Sequence, residues 1–181
     1  MTKTLMDKTD LRRILLAARQ SIPPEVRRRQ DESIGDRIIE WWHTCRPHTL
    51  GVYLPIRGEP ELHAAYAKLD ALGVRLALPM VRDKGAPLMF MAWRPGDPLA
   101  VDAMGIPGPV ATAGEVQPDA LLIPCVGFND AGFRLGYGGG YYDRTLAGTS
   151  RPATVGVAYR CLKADFLPAP YDVPMDVIVT E

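Results

Sequence analysis

Apolar positions recur first at helical spacing and then in short runs. Leu11, Ile14, Leu15 and Ala18 fall three and four apart and predict an amphipathic helix over roughly 5–20, ended by Pro23-Pro24. A second helix follows, with Val26, Ile34, Ile38 and Trp41 on or near one face. Arg27, Arg28 and Arg29 are expected on its solvated side, and Trp41 and Trp42 read as packing residues at its end. The run 49–56 reads as a buried strand. Leu62, Tyr66, Leu69 and Leu72 then mark a helix closed by Gly73, with a further strand over 74–80. Strand, helix, strand in succession implies a right-handed parallel crossover.

The second half repeats the alternation. Another strand is expected over 87–93. Residues 94–118 carry five prolines and four glycines, too irregular for an element and too long for an idle loop. Strands over 120–126 and 153–159 flank a glycine-rich loop and a helix over 141–147, a second crossover, and 176–180 completes an edge. The pattern is that of an α/β protein with a largely parallel sheet. Ligands of such sheets bind at the carboxyl ends of the strands, here the loops after Ile56, Met80 and Phe128.

Composition narrows the function classes. With 181 residues, 47% of them hydrophobic, the chain can bury a core as one domain, 1–181, without disulfides or a structural metal. Lysine plus arginine and aspartate plus glutamate both number 21, so no bulk field argues for nucleic acid or an anionic membrane. The longest apolar stretch, 120–128, is broken by Pro124 and is too short to span a bilayer, and 1–20 has no apolar signal core. Cys45, Cys125 and Cys161 are odd in number and widely spaced, as expected of reduced thiols in a cytoplasm, with Cys125 a buried core thiol. His43, His48 and His63 share no spacing with a nucleophile, so no triad is assigned.

Chemistry concentrates in Arg134-Leu135-Gly136-Tyr137-Gly138-Gly139-Gly140-Tyr141-Tyr142-Asp143. Four glycines in five positions, leading into a helix, present unpaired amides suited to an anion, phosphate above all. Arg134 adds a cation, and Asp143 a carboxylate able to hold a metal ion beside phosphate. A glycine-rich hairpin without a ligand is the bland alternative; the segment is neither a Walker loop nor a dinucleotide fingerprint. Lys8 and Arg12 stand four apart on the first helix and together suit a polyphosphate, although two solvated cations would look the same. Glu59, just past a strand's carboxyl end, can point into a crevice and accept from ring N–H donors, or sit in a surface turn. Either Asp172 or Asp176 could join Asp143 in an Mg²⁺ shell completed by phosphates and water.

Taken together these residues resemble the 5-formyltetrahydrofolate cyclo-ligase family, also called methenyltetrahydrofolate synthetases. The resemblance runs through Lys-x-x-Leu-Arg at 8–12, Gly-Val-Tyr-Leu-Pro-Ile-x-Gly-Glu at 51–59, Leu78-Pro79, the glycine segment, and Leu-Pro…Asp at 167–172. It implies a single three-layer α/β/α domain and an ATP- and Mg²⁺-dependent closure of 5-formyltetrahydrofolate to 5,10-methenyltetrahydrofolate, with release of ADP and phosphate. It further implies that Lys8, Arg12, Arg134 and the loop 135–142 hold the nucleotide, with Arg134 acting on the transferred phosphoryl group. Glu59 would grip the folate, and Asp143 and Asp172 would hold Mg²⁺. Its partners are then small molecules, without nucleic acid or membrane, and a cytoplasmic monomer is expected. Arg12 and Arg134 are expected to serve the nucleotide and not the fold.

The chain departs from the family pattern at Asn129, Leu162, Pro60, Leu62 and Gly108, where Asp, Gln, Val, Thr and Glu are usual. None is a phosphate or metal position, and the folate side is where these departures are expected to fall. Two other readings stay open: a non-catalytic nucleotide- or folate-binding relative, and a sugar-phosphate isomerase-like enzyme using the anion loop without ATP.

Overall fold

A computed structural model describes residues 6–101, 106–110, 113–148 and 150–181. Helix α1, Lys8–Gln20, starts where the Asp7 side chain accepts the Thr9 amide, which satisfies one of the unpaired donors of its first turn. The start of the predicted helix at residue 5 lies outside the described residues. Leu11, Leu15 and Arg19, each four apart, are its buried face, whereas Ile14 is exposed. Helix α2, Pro24–Cys45, has proline at its first turn and ends on Arg46 in a left-handed conformation. Its core stripe is Ile34, Ile38 and Trp42; Val26 is exposed and Trp41 only partly buried.

Ten strands follow among the described residues. Six form one sheet: β1 Thr49–Gly51, β2 Arg75–Met80, β3 Met89–Ala92, β6 Ala120–Pro124, β9 Ala153–Val157 and β10 Val177–Val179. Their order is β10-β9-β6-β1-β2-β3, parallel throughout except for β3, which runs antiparallel at one edge. Both expected crossovers are present: α3, His63–Ala71, joins β1 to β2, and β6 reaches β9 through the glycine segment and α4, Tyr141–Leu146. Helix α3 closes as expected, with Gly73 at positive φ and its amide donating to Asp70.

The sheet is covered on both faces, which makes three layers. On β6, Ala120 and Leu122 join α1, α2 and α3 in the larger core, while Leu121 and Ile123 join Leu146 of α4 and Met175 in the smaller one. Alternation along the strands sends successive side chains to opposite layers. No helix among the described residues is long and apolar enough to cross a membrane.

Two segments differ from expectation. The predicted strand 49–56 pairs only over Thr49–Gly51, followed by one bond from Val52 to Ala77; beyond that the chain turns off the sheet. The Tyr53 hydroxyl donates to the Pro60 carbonyl and the Tyr66 hydroxyl to the Tyr53 carbonyl, so side chains satisfy a backbone the sheet no longer reaches. The irregular 94–118 contains a two-stranded ribbon, β4 Leu99–Val101 with β5 Pro107–Pro109, lying against β2. A short hairpin, β7 Gly127–Phe128 with β8 Arg134–Leu135, precedes the glycines.

Candidate active site

A cavity of about 720 Å³ opens at the carboxyl ends of β1, β2 and β6, within the usual size range for a small-molecule site. Lys8, Arg12, Glu59, Asp143 and Asp172 line it together with the whole run 134–142. Widely separated stretches of sequence therefore meet at one crevice. The β4–β5 ribbon closes one side with Ala100, Val101, Pro107 and Pro109.

One end of the cavity is built from charge. The Arg134 side chain is almost wholly buried; it donates to Asp143 Oδ1 at 2.8 Å and to the Val173 carbonyl at 3.3 Å. The Lys8 ammonium lies 2.7 Å from Asp172 Oδ2, which also accepts the Ala169 amide. Burial tends to raise the Asp172 carboxyl, but these two donors win and hold it below the ordinary range. Arg12 Nε donates to the Gly136 carbonyl at 2.7 Å, and its guanidinium lies under Gly138. Gly138 and Gly140 have φ of 96° and 65°, left-handed conformations that favour glycine. Among the described residues, the amides of 136–140 donate to no protein acceptor. They face the same cavity as three cations. Helix α4 has only six residues, so its dipole would add little to what these amides and cations could offer an anion.

The other end holds a buried carboxylate. Glu59 is buried, 3% exposed, and clasps its own turn: its amide donates to the Ile56 carbonyl, and its Oε2 accepts the Ile56 amide at 2.9 Å. Arg57 and Gly58, the central residues of that turn, both have positive φ. Glu59 Oε1 accepts the Tyr137 hydroxyl at 2.8 Å. Burial pushes the Glu59 carboxyl up; the Ile56 amide, Tyr137, Arg19 and Arg57 act against it. The surrounding wall is apolar, with Ile56, Leu78, Met80 and Leu88.

The structure also supplies residues that pattern reading missed. Arg19 is fully buried and donates to the Arg57 carbonyl, the Cys125 carbonyl and the Tyr137 hydroxyl. Its signal was present: a charged residue four beyond Leu15 on an apolar stripe. Arg144 donates to the Gly139 carbonyl at 2.8 Å and stacks on Tyr141, bracing the loop from outside. Arg27, expected in solvent, is half-buried and donates to the Arg19 and Ile22 carbonyls, because α2 begins against the end of α1. Asp176 does not line the cavity; it accepts the Thr154 amide and hydroxyl. Cys125 is buried, and burial pushes its thiol up to about 12, so it is inert at neutral pH.

The departures from the family pattern also find their places. Asn129 holds the β7–β8 turn, accepting the Ala131 and Phe133 amides and donating to Phe166. Leu62 and Leu162 are core residues, and Pro60 is buried with its carbonyl on Tyr53. Gly108 alone of the five lines the cavity.

Comparison with known proteins decides the family. The sequence pattern of the 5-formyltetrahydrofolate cyclo-ligase family matches residues 4–181. The chain belongs to the 5-formyltetrahydrofolate cyclo-ligase family. The Mycolicibacterium smegmatis 5-formyltetrahydrofolate cyclo-ligase is 34% identical, over 96% of this chain and 93% of that protein. The Escherichia coli K12 enzyme is 31% identical over 90% and 93%. Among solved structures, the Mycoplasma pneumoniae 5,10-methenyltetrahydrofolate synthetase superposes with a TM-score of 0.81 at 28% identity, covering 97% of this chain and 99% of that one. The Aquifex aeolicus synthetase also scores 0.81, at 31% identity over 96% and 89%. The cyclo-ligase family membership makes this chain a C–N ring-forming ligase and removes the isomerase reading.

Proposed function

We propose that this cyclo-ligase closes 5-formyltetrahydrofolate to 5,10-methenyltetrahydrofolate at the expense of ATP, releasing ADP and phosphate. The observation that carries the reading is the two-ended cavity: free loop amides and cations at one end, a buried carboxylate in an apolar wall at the other. A formamide oxygen leaves poorly. Transfer of the γ-phosphoryl group to that oxygen turns it into a phosphate ester; N10 then attacks the activated carbon, its proton is lost, and phosphate departs with the former formyl oxygen. Such a transfer depends on positioning and neutralisation more than on a protein nucleophile. The amides of 136–140 with Lys8 and Arg12 hold the polyphosphate, and Arg134 meets charge on the transferred group. Tyr141 and Tyr142 flank the nucleotide, and Glu59 accepts from N–H donors of the folate.

Asp143 and Asp172 fit a divalent cation that shares its shell with phosphate. The bonds described for Asp143 fall on Oδ1 and those for Asp172 on Oδ2, so each has a second oxygen that these bonds do not use. Both carboxylates line the one cavity, and Mg²⁺ is a cation that takes one or two carboxylates plus phosphates and water. When bound, Mg²⁺ would neutralise phosphate charge at this end.

The test is methenyl absorbance from 5-formyltetrahydrofolate with and without ATP and Mg²⁺. Product is expected only with both; an undiminished rate after EDTA or without nucleotide refutes the reading. Folate binding without turnover would favour the non-catalytic relative.

A further inference from the structure

Among the described residues, Arg19 is a buried cation that bonds no carboxylate directly. Its fork goes to the Arg57 carbonyl at 3.1 Å, the Cys125 carbonyl at 3.4 Å and the Tyr137 hydroxyl at 2.5 Å. The anion nearest along this path is Glu59, reached only through Tyr137, whose hydroxyl accepts from Arg19 and donates to Glu59 Oε1 at 2.8 Å. A hydroxyl has one proton, so the acceptance from Arg19 commits that proton to Glu59. Two guanidiniums stand near the Tyr137 ring, Arg19 at 5.8 Å and Arg57 at 5.3 Å from its centroid. Tyr137 makes these contacts while sitting inside the glycine loop, between Gly136 and Gly138.

We infer that Tyr137, oriented by Arg19, is a positioning residue for the folate: it fixes Glu59 in its accepting form and ties the phosphate-binding loop to the folate end of the cleft. This rests on the cyclo-ligase reading above and deepens it. The hydroxyl does not touch the reacting atoms. It occupies Oε1 while the Ile56 amide occupies Oε2, which fixes the orientation of the carboxylate in the cavity lining. A direct Arg19–Glu59 pair would neutralise the carboxylate and compete with the ligand. The intervening hydroxyl keeps the charge available while still opposing the cost of burial. The titratable groups around Glu59 are Arg19 of α1, Arg57 of its own turn, Tyr137 of the loop, and the buried Tyr53, Tyr66, Tyr142 and Cys125. Burial raises all four of the latter, and it lifts Tyr137 to about 12, so Glu59 is the member of this cluster that changes charge on the acid side.

Tyr137→Phe is the test, since the ring is partly exposed and the variant keeps its packing. The KM for 5-formyltetrahydrofolate is expected to rise about tenfold, the factor equivalent to roughly 1.4 kcal/mol. The KM for ATP should change by less than about twofold, and Tm should hold. The acid limb of kcat/KM for the folate should move to higher pH, because a donor that favours the ionised carboxylate is gone. In a Glu59→Gln background the same change should add less than about threefold, because coupled residues are not additive. An unchanged folate KM and acid limb, an equal rise in both KM values, or a full tenfold effect in the Glu59→Gln background would each overturn the inference. A wild-type protein that binds folate without cyclising it overturns the proposed reaction instead. The role of Tyr137 is then decided by equilibrium folate binding, where the same tenfold ratio is expected and an equal affinity refutes it.

Discussion

The two ends of the cleft treat charge in opposite ways. Where the proposal puts phosphate, cation and carboxylate meet directly: Arg134 on Asp143, Lys8 on Asp172. Where it puts the folate, a cation and a carboxylate are kept apart by a hydroxyl, Arg19 to Tyr137 to Glu59. On that proposal the direct pairs would exchange partners when a polyphosphate and a metal bind, and their net worth without ligand is modest. The relay holds Glu59 in one orientation while burial raises its carboxyl. One end is built to exchange partners, the other to keep one orientation.

Arg134→Ala should break the phosphate end most severely. Activity should fall by about a hundredfold or more, the scale of losing a charge-stabilising group. The expectation that Arg134 serves only the nucleotide gives way here, because the side chain is buried and joins β8 to α4 and to Val173. Removing one partner of a buried pair costs about 3–5 kcal/mol; with Asp143 a quarter exposed, about 2–3 kcal/mol is the better figure. That lowers Tm by about 4–12 °C. Calorimetry showing an unchanged apo Tm would remove the structural half of this account.

Asp143→Asn asks whether the carboxylate's charge matters beyond its bond to Arg134. An amide oxygen still accepts from Arg134 but is a far poorer Mg²⁺ ligand. Most activity should disappear, the half-saturating Mg²⁺ should rise, and folate binding should stay near wild type. A variant with the wild-type rate and Mg²⁺ dependence would reduce Asp143 to a helix-start residue.

Glu59→Gln addresses the other end. Replacing the charged acceptor should cost about 2 kcal/mol, a roughly thirtyfold rise in the KM for folate, without a matching change for ATP. The acid limb of the folate profile should vanish with the carboxyl. If ATP kinetics suffer equally, the two ends are not separable.

Arg12→Ala sharpens the contrast with Arg134. Arg12 is partly exposed and bonds one loop carbonyl, so the KM for ATP should rise about tenfold while the apo Tm barely moves. A drop in Tm comparable to that of Arg134→Ala would make Arg12 a structural brace.

The smallest effect lies behind the cleft. Asp31 accepts the Tyr159 hydroxyl at 2.7 Å, yet burial pushes its carboxyl up from 3.8 to about 6. A raised carboxyl contributes stability that is present below about pH 4 and is lost as pH rises through about 6. Asp31→Asn keeps an acceptor for Tyr159 and cannot ionise. Its Tm should therefore gain on wild type between about pH 4 and 7; a gap that narrows with pH would reverse the sign and refute the assignment.

Much of this arrangement is legible in the chain. The alternation of helical and strand patterns leads to the parallel order because short connections and right-handed crossovers leave few alternatives. The glycine segment is legible because a run of glycines beside Arg, two Tyr and Asp has few structural uses. Arg19 and Arg27 were harder. A charge on an apolar stripe is visible, but whether it points to solvent or into a polar hub depends on what packs over it. The strand expected over 49–56 failed for a related reason: past Gly51, Val52 and Tyr53 are buried and Leu54 is partly buried in the core without sheet pairing beyond Val52, and burial alone does not distinguish pairing from packing.

By itself, then, the sequence determined the layer architecture, the anion loop and the set of charged residues that could serve it, because period and residue chemistry are local properties. Tertiary structure alone decided which charges meet. Residues 8 and 172, 12 and 136, or 19, 59 and 137 are far apart along the chain and share no spacing rule. Their contacts exist because the sheet brings its carboxyl ends to one crevice and α1 lays its buried face across them, and no local interaction encodes that distance.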